Sequence, residues 1–557
     1  MKLTLARAHG RTLLSLLLVA AAACGDDDDK APPAPPPCEA SAPALPAGQA
    51  FTLAGKVEYD FVPATYDPKA DPRTFNGTLG FTSYERRPAR EVVVQIRQCA
   101  NVLATATTNA AGDYSMTFTP GPTGALSVVA LAKTISPPIQ VEDNTDGDAI
   151  WAVGQVIDSA SATRSLHATH GWTGSSYDPA ARSAAPFAIL DSMYTAAKAF
   201  VDAGRSPSFP LLKVNWSPGN GTSAQSIGTS HYSPADGEIY VLGMAGDDTD
   251  EFDKQVIVHE WAHYFEDKLS RTESPGGPHE TGDVLDPRLA FSEGGATALA
   301  AILLRDPIYV DTGWWDGVNL AAFGFDAESL PPAQYGTDDF DASGAGLNPG
   351  PFSEMSIIRA MYDLWDTGTN EVWDGISVEL GVIYDVLVGP QKATPALTTL
   401  APFVTGLKAT TGVSATAVDT LLAHYSIGPI SDEWGTDDAD LRGMYRDVSV
   451  PSSGHSFTLD AGTVAIPFDW NMQQQNRYLV FTGTGSTVTV TSTSAYDVDL
   501  EAYHRGDMVD WAWNPSGNET LDFPTAAGET YVVVLTGWAT PTDVNGPYSA
   551  TVNISTP

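Results

Sequence analysis

The chain has few cysteines, few basic residues and no long apolar segment after its amino terminus. With 3 cysteines in 557 residues, disulfide bonds cannot be its main source of stability. Its 29 Lys and Arg face 68 Asp and Glu, and a formal net charge of −39 argues against a nucleic-acid partner. No later apolar run is long enough to cross a bilayer, and no fixed-period repeat suggests a solenoid or propeller.

The amino terminus has the pattern of a signal peptide, predicted over residues 1–23. Lys2, Arg7 and Arg11 flank the apolar run 13–23, which is too short to span a membrane. We therefore expect export from the cytoplasm. An oxidising compartment would let Cys38 and Cys99 form a disulfide, although two free thiols are the open alternative.

The end of this segment, Ala21-Ala22-Ala23-Cys24, resembles a bacterial lipobox, with Ala21 in place of the commoner Leu. The resemblance implies cleavage before Cys24 and lipid on its thiol. An acidic, Pro- and Ala-rich tether, residues 24–48, follows. We predict a lipid-anchored position in the cell envelope, at the outer membrane or cell surface of a Gram-negative-type bacterium. Ordinary cleavage, giving a secreted protein, is the alternative.

The run His259-Glu260-Trp261-Ala262-His263 is the strongest chemical signal in the chain. Apolar residues recur around it at helical spacing, which predicts a helix over about 251–266, with N-cap oxygens from Asp247–Asp250. Because residues i and i+4 share one helix face, His259 and His263 can hold one metal ion, and Glu260 can reach a water on it. The alternative is a helix with two core or solvated histidines.

Glu293 lies thirty residues after His263, inside the apolar run Leu289–Leu304. Asp286-Pro287 predicts the start of its helix. A carboxylate buried there needs a compensating charge, and a metal would supply one. We expect Gly294 and Gly295 to let this helix approach the histidine helix closely. A position on a solvent-facing stripe is the alternative.

Together, His259-Glu260-x-x-His263 and Ser292-Glu293-Gly294-x-Ala296 resemble the gluzincin group of zinc metallopeptidases. The likeness covers roughly residues 150–430. It implies one catalytic Zn²⁺ on His259, His263 and Glu293, with Glu260 as the general base that activates a metal-bound water for attack on the scissile carbonyl. The chain departs from thermolysin-like enzymes at Thr297, where they have an aspartate that orients a ligand histidine.

A peptidase also needs a donor for the developing oxyanion. His231, His279, Tyr335 and Tyr362 are candidates by residue type, and the sequence assigns none of them.

The length of the chain and its turn residues between short alternating runs predict three folded units. They are a β-sandwich over 49–150, a catalytic domain over 151–432 and a β-sandwich over 450–557. The stretch 107–114 resembles carboxypeptidase-regulatory, transthyretin-like domains, and 546–552 resembles pre-peptidase C-terminal domains. The expected fold class is multidomain. An α+β zincin-like domain, with a small mixed sheet, the HExxH helix and a helical lower half, would lie between two all-β sandwiches.

Inside the catalytic domain, helical spacing predicts helices over 184–203, 353–365 and 397–425. Alternating residues predict strands over 211–216 and 237–242. The resemblance to gluzincins implies that the second is the edge strand that borders the cleft.

Two further features suggest ligands. Asp143, Asp146 and Asp148 have the spacing of a Ca²⁺ loop, but they do not complete an EF-hand and could be solvated. Trp511, Trp513 and Trp538 could form a binding face or pack in the carboxyl-terminal core.

The function predicted from the sequence is zinc-dependent endopeptidase activity on extracellular or envelope proteins. Two alternatives stay open: a non-catalytic binding or adhesion lipoprotein with a degenerate zincin domain, and a zinc hydrolase that acts on a non-peptide bond.

Overall fold

The computed structural model describes residues 43–67, 77–280, 282–314, 320–328, 348–367, 373–461 and 470–556. Within them the protein is multidomain and mixed α/β, rich in β-sheet, with seven α-helices. None of these helices has the length and apolar character that crossing a membrane requires. The predicted signal peptide, Cys24 and Cys38 lie outside the described residues. Cys99 is disulfide-bonded, and its pairing with Cys38 stays a prediction.

The amino-terminal part consists of strands. They are β1 (Phe51–Phe61), β2 (Ala64–Thr65), β3 (Thr78–Leu79), β4 (Glu85–Pro88), β5 (Val92–Gln98), β6 (Asn101–Thr107), β7 (Asp113–Phe118), β8 (Leu126–Thr134), β9 (Ile139–Asp143), β10 (Ala149–Ile150), β11 (Ala152–Val156) and β12 (Leu166–Ala168). One sheet has the order β12-β1-β4, with β7 also on β1. Its buried Leu53 and Val57 share a core with Val94 and Ile96 of β5, which belongs to a second sheet.

The middle part carries all seven α-helices of the described chain. Its elements are α1 (Ala185–Asp202), β13 (Leu212–Trp216), β14 (His231–Ser233), β15 (Glu238–Val241), β16 (Gly243–Met244), β17 (Asp248–Thr249), α2 (Lys254–Lys268), α3 (Pro287–Leu304), β18 (Ile308–Trp314), β19 (Leu320–Asp326), α4 (Glu354–Trp365), α5 (Leu380–Val386), α6 (Leu400–Ala409) and α7 (Ala415–His424).

A nine-stranded sheet joins the first part to the middle part, in the order β14-β15-β13-β9-β8-β5-β6 with β10 and β11 on β9 and β8. Strand β13 runs parallel to β9 and covers an edge that β9 would otherwise leave unpaired. One hydrophobic core extends from Leu45 to Met472. The predicted boundary between residues 150 and 151 therefore falls inside one continuous sheet.

The edge strand differs from the expected one. Strand β15 lies between β13 and β14, so the edge is β14, His231–Ser233. The turn between the two strands ends at Gly237, whose φ of +70° a residue with a side chain rarely adopts. This turn folds β14 back antiparallel to β15.

The helices α1, α3 and α4 match their predicted ranges within two residues. The predicted helix 397–425 is instead two helices. They are separated by a turn in which Gly412 has a φ of +94°, and Ser414 caps α7 by accepting from Ala417 N at 3.3 Å.

The predicted N-cap of α2 is wrong. Asp247 accepts hydrogen bonds from Thr222, and Asp250 accepts one from Ser230. Asp253 occupies the N-cap position, but its side chain accepts from Thr312 rather than from the helix. The acidic residues before α2 thus bind a loop, the residue before β14 and strand β18, and sequence spacing does not reveal these contacts.

The carboxyl-terminal part is a β-sandwich. Its strands are β20 (Tyr445–Asp447), β21 (Ser452–Leu459), β22 (Asn476–Thr482), β23 (Thr487–Ser494), β24 (Val498–His504), β25 (Asp507–Ala512), β26 (Thr520–Pro524), β27 (Thr530–Gly537) and β28 (Tyr548–Ser555). Two sheets, β20-β22-β27-β24-β25 and β21-β28-β23-β26, enclose a separate core.

This sandwich is docked on the segment that leads into α3. The Tyr478 hydroxyl donates to Asp286 Oδ2 at 2.6 Å, and Asp286 Oδ1 caps α3 by accepting from Arg288 N at 2.9 Å. Asn471 Nδ2 donates to the carbonyls of Gly276 and Pro278 at 3.1 and 2.8 Å. The third part of the chain therefore supports the helix that carries Glu293.

Replacing Tyr478 with Phe should lower the free energy of unfolding by about 2 kcal/mol, because a buried charged acceptor loses a donor. It should also raise amide hydrogen exchange in the first turn of α3. The matched control is Tyr503→Phe, whose hydroxyl donates to Glu501 within the sandwich at 2.8 Å. Equal exchange in the first turn of α3 in the two variants would contradict this coupling.

Candidate metal centre

Two helices bring three candidate ligand atoms to one point. His259 and His263 lie one turn apart on α2, and Glu293 lies on α3, which packs against it. The distance between His259 Nε2 and His263 Nε2 is 3.0 Å. Glu293 Oε2 lies 3.2 Å from each of these nitrogens. The three side chains are 13–16 % exposed.

This arrangement fits a zinc ion. With bonds of about 2.0–2.1 Å in a tetrahedron, neighbouring zinc ligands lie about 3.3 Å apart. The observed spacings of 3.0–3.2 Å are close to this value. Two imidazoles and one carboxylate are a zinc donor set, and three protein ligands leave one coordination position for a substrate or water.

Neighbouring side chains orient both imidazoles. His259 Nδ1 is hydrogen-bonded to Thr297 Oγ1 at 2.8 Å. His263 Nδ1 lies 3.5 Å from Ser292 Oγ and 3.8 Å from Glu266 Oε2. With Nδ1 engaged in this way, each ring directs Nε2 at the shared point, as metal-bound histidines require. Thr297, the position of departure from thermolysin-like enzymes, is thus the hydrogen-bond partner of His259.

Glu260 is held beside this point by the edge strand. The backbone N–H of Tyr232 on β14 donates to Glu260 Oε2 at 2.7 Å. Glu260 Oε1 lies 4.0 Å from His259 Nε2. One oxygen is therefore fixed, and the other lies 4.0 Å from one of the three ligand atoms. Sequence reasoning missed this contact because a backbone donor has no residue-type signal.

The charges at the centre are coupled. Burial raises the pKa of Glu293, but the charge of His263 and hydrogen bonds from both histidines outweigh burial and hold the pKa well below its ordinary value. Burial lowers the pKa of His263, but Glu293 and Glu266 outweigh it and raise the pKa well above its ordinary value. A cation that binds here must displace a proton from the histidine.

The candidate oxyanion donors occupy different places. His279 Nε2 lies 3.6 Å from Glu293 Oε2, and His279 Nδ1 bonds Glu354 Oε2 at 3.0 Å. His231 stacks on Tyr240 at the sheet edge, with ring centroids 5.2 Å apart. Tyr362 is buried beside Trp365, and Tyr335 lies outside the described residues.

The two glycines after Glu293 do not face the histidine helix as expected. A Cβ on Gly294 would lie 2.8 Å from Glu354 O and 2.9 Å from Ile357 Cβ, both on α4. On Gly295, the nearest atom would be Met361 Sδ, also on α4, at 3.8 Å. Gly294 therefore lets α4 approach α3, whereas a Cβ on Gly295 would make only an ordinary contact, and the close approach places Glu354 beside His279.

The other predicted ligand features lie elsewhere. Asp143 Oδ1 accepts from Thr145 N and Oγ1 at 3.0 and 2.7 Å, and calcium at this loop stays a prediction. Trp511, 37 % exposed, packs against Trp513, with ring centroids 5.7 Å apart. Trp538 stacks on Trp470.

No protein-family model matches the chain, and no curated protein matches it. Solved structures match over part of it. The pre-peptidase C-terminal domain of a Bacillus anthracis collagenase has a TM-score of 0.15 at 7 % identity, over 20 % of this chain and 93 % of its own. The surface-associated copper-binding protein CorA of Methylomicrobium album BG8 has a TM-score of 0.16 at 8 % identity, and the match covers 20 % of this chain and 99 % of CorA. Aeromonas hydrophila PliG, a periplasmic inhibitor of g-type lysozyme, has a TM-score of 0.13 at 15 % identity, and the match covers 20 % of this chain and 98 % of PliG.

Replacing Thr297 with Val should weaken zinc binding about tenfold or more, because the side chain keeps its shape but loses the hydroxyl that orients His259. Thr297→Ser should restore most of the affinity. Competition against a chromophoric zinc chelator measures both constants. Equal affinity in Thr297→Val and wild type would exclude this orienting role.

Proposed function

We propose that this chain is a zinc-dependent peptidase that cleaves internal peptide bonds of extracellular or envelope proteins. The single observation that carries it is the meeting of His259, His263 and Glu293 at ligand spacing, with the Glu260 carboxylate facing the same point. A merely structural zinc site would use four protein ligands and would need no such carboxylate.

His259, His263 and Glu293 would hold the ion. When bound, zinc supplies a Lewis acid and lowers the pKa of a coordinated water to about 7. Glu260 takes a proton from the attacking water through Oε1, while Tyr232 N–H fixes Oε2. The same carboxyl then returns the proton to the leaving amine.

His279 is the described candidate best placed to donate to the developing oxyanion. Its ring is held by Glu354 and lies beside Glu293, on the margin of the centre. A hydrogen bond to Glu354 keeps the ring oriented, so His279 can donate without first reorganising.

The substrate would bind along the edge strand. Strand β14 is the outermost described strand of its sheet and carries the residue that positions Glu260. An extended peptide can add to such an edge through backbone hydrogen bonds, independently of its side chains. This geometry favours a peptide over an ester or another small substrate.

The same chain would be held in the cell envelope by lipid on Cys24. A tether of the predicted length and composition would allow the catalytic domain to reach proteins near the membrane surface. The secreted form stays the alternative, because ordinary cleavage after Ala23 would release the protein.

Replacing Glu260 with Gln should leave zinc bound and lower the rate of casein cleavage at least about 100-fold, because the general base is lost. Glu238→Gln is the matched control, since Glu238 lies on β15 and bonds Asn215 at 2.8 Å. Cleavage by Glu260→Gln at the wild-type rate would contradict the mechanism.

A peptide-library digest read by mass spectrometry should give internal cleavage products that require zinc. Zinc retention without peptide cleavage, but with hydrolysis of ester substrates, would instead support a non-peptide hydrolase. Full zinc occupancy with no hydrolysis of either would support a binding protein.

A further inference from the structure

Four aspartates form a second group near the start of the histidine helix, and we name it the acidic cluster: Asp248, Asp250, Asp253 and Asp311. Carboxylate oxygens of Asp248, Asp250 and Asp311 lie within 4.8 Å of one another. Asp253 lies close enough for its charge to interact with Asp311 and Asp248. The members come from β17, the start of α2 and β18, so three separate elements meet here.

Two buried carboxylates of the cluster each keep one oxygen without a hydrogen-bond partner among the described residues. Asp250 is 3 % exposed; its Oδ2 accepts from Ser230 Oγ at 2.5 Å, but its Oδ1 is buried and has no hydrogen-bond donor among the described residues. Asp253 is 2 % exposed, and its Oδ1 is likewise unpaired in the described part of the chain. Unpaired carboxylate oxygens next to like charges are costly to bury.

Basic residues do not compensate this charge. Within the described ranges, no Lys or Arg forms a salt bridge with the acidic cluster; nearby Lys254 pairs with Asp306, and Arg182 pairs with Glu251. Burial and the charge of Asp311 raise the pKa of Asp248 to about 7, and burial raises that of Asp311 to about 6. Burial of the four carboxylates together therefore requires either shared protons, which leave some of them neutral, or a bound cation.

We propose that the acidic cluster binds one calcium ion, separate from the zinc centre. Carboxylates without nitrogen or sulfur ligands suit a hard cation, and Ca²⁺ accepts six to eight oxygens in flexible geometry. Asp250 Oδ1 and the carboxylates of Asp248 and Asp311 supply the first ligands, and Asp253 adds negative charge.

The ion would stabilise the surroundings of Glu260. Asp250 accepts a hydrogen bond from Ser230, the residue directly before β14. The Ser230 Oγ also accepts from Leu242 N at 3.0 Å. Asp253 stands at the N-cap of α2 and accepts from Thr312 N at 2.7 Å. Neutralising the cluster would thus fix the edge strand and the start of the zinc-binding helix at the same time.

The first test is calcium titration of the zinc-loaded full-length protein, freed of other divalent ions, by isothermal titration calorimetry. We expect one Ca²⁺ per chain, and a rise in Tm of about 3 °C at a hundredfold excess over Kd. Mg²⁺ should bind at least tenfold more weakly. Saturation by Mg²⁺ but not by Ca²⁺, or no binding of Ca²⁺ at millimolar concentration, would overturn the assignment.

Aspartate-to-asparagine variants show which residues bind the calcium ion. Asp311→Asn and Asp248→Asn should each weaken calcium binding at least tenfold, and should fold without calcium because they remove repulsion. Asp306→Asn, a nearby charge change outside the cluster, should bind calcium like wild type. If Asp143→Asn abolishes binding and the cluster variants retain it, the ion belongs to the acidic loop and the inference is wrong.

Proton sharing makes a different prediction. The titratable groups facing the cluster are Asp247, Tyr309 and Tyr177. Without calcium, unfolding free energy should fall as pH rises from about 4 to 7, because native carboxyls keep protons that the unfolded chain releases. Calcium should remove most of this fall. An identical pH profile with and without calcium would establish shared protons instead.

The calcium site does not depend on the zinc chemistry. His259→Ala should lose zinc and keep calcium binding with its affinity changed less than threefold. Calcium lost together with zinc in this variant would mean that the two sites are not separate, and the inference would fail while the peptidase proposal stood.

Discussion

The carboxylate of Glu293, held within an apolar helix, is the constraint on which the surrounding structure depends. A buried charge must be compensated, and here the compensation comes from two imidazoles on a second helix, 3.2 Å away. This requirement constrains how α2 packs on α3, because both imidazoles must face Glu293. The same requirement explains why the side chains that orient the imidazoles are polar within an otherwise apolar interior. They are Thr297 at His259, and Ser292 with Glu266 at His263. A divalent cation at this point would replace the proton that otherwise links these groups.

Residues from all three parts of the chain position this centre. The nine-stranded sheet begins in the amino-terminal strands and ends at β14, whose backbone holds Glu260. On the other side, the carboxyl-terminal sandwich donates through Tyr478 to the cap of α3 and through Asn471 to the segment preceding His279. The flanking β-structure is therefore part of the scaffold of the site, which gives it a physical role beyond that of an appended module.

The sequence could predict the elements that carry a strong local signal. The HExxH helix, the cap at Asp286 and helix α4 follow from periodicity and cap chemistry. Contacts that depend on tertiary packing could not be predicted. Gly294 faces α4 instead of α2, and β14 instead of β15 is the edge. The aspartates before α2 pair with distant segments instead of capping the helix. Each of these depends on which face of an element a distant segment covers, and local spacing does not contain that information.

We propose that one zinc ion joins α2 to α3. Metal analysis by inductively coupled plasma mass spectrometry, on wild type and on a Glu293→Ala variant purified under the same conditions, tests it most directly. We expect one zinc per wild-type chain and at least a tenfold lower content in the variant, because one of three protein ligands is removed. Wild-type protein that holds no stoichiometric zinc after zinc is supplied, or a variant that holds as much as wild type, would contradict the claim.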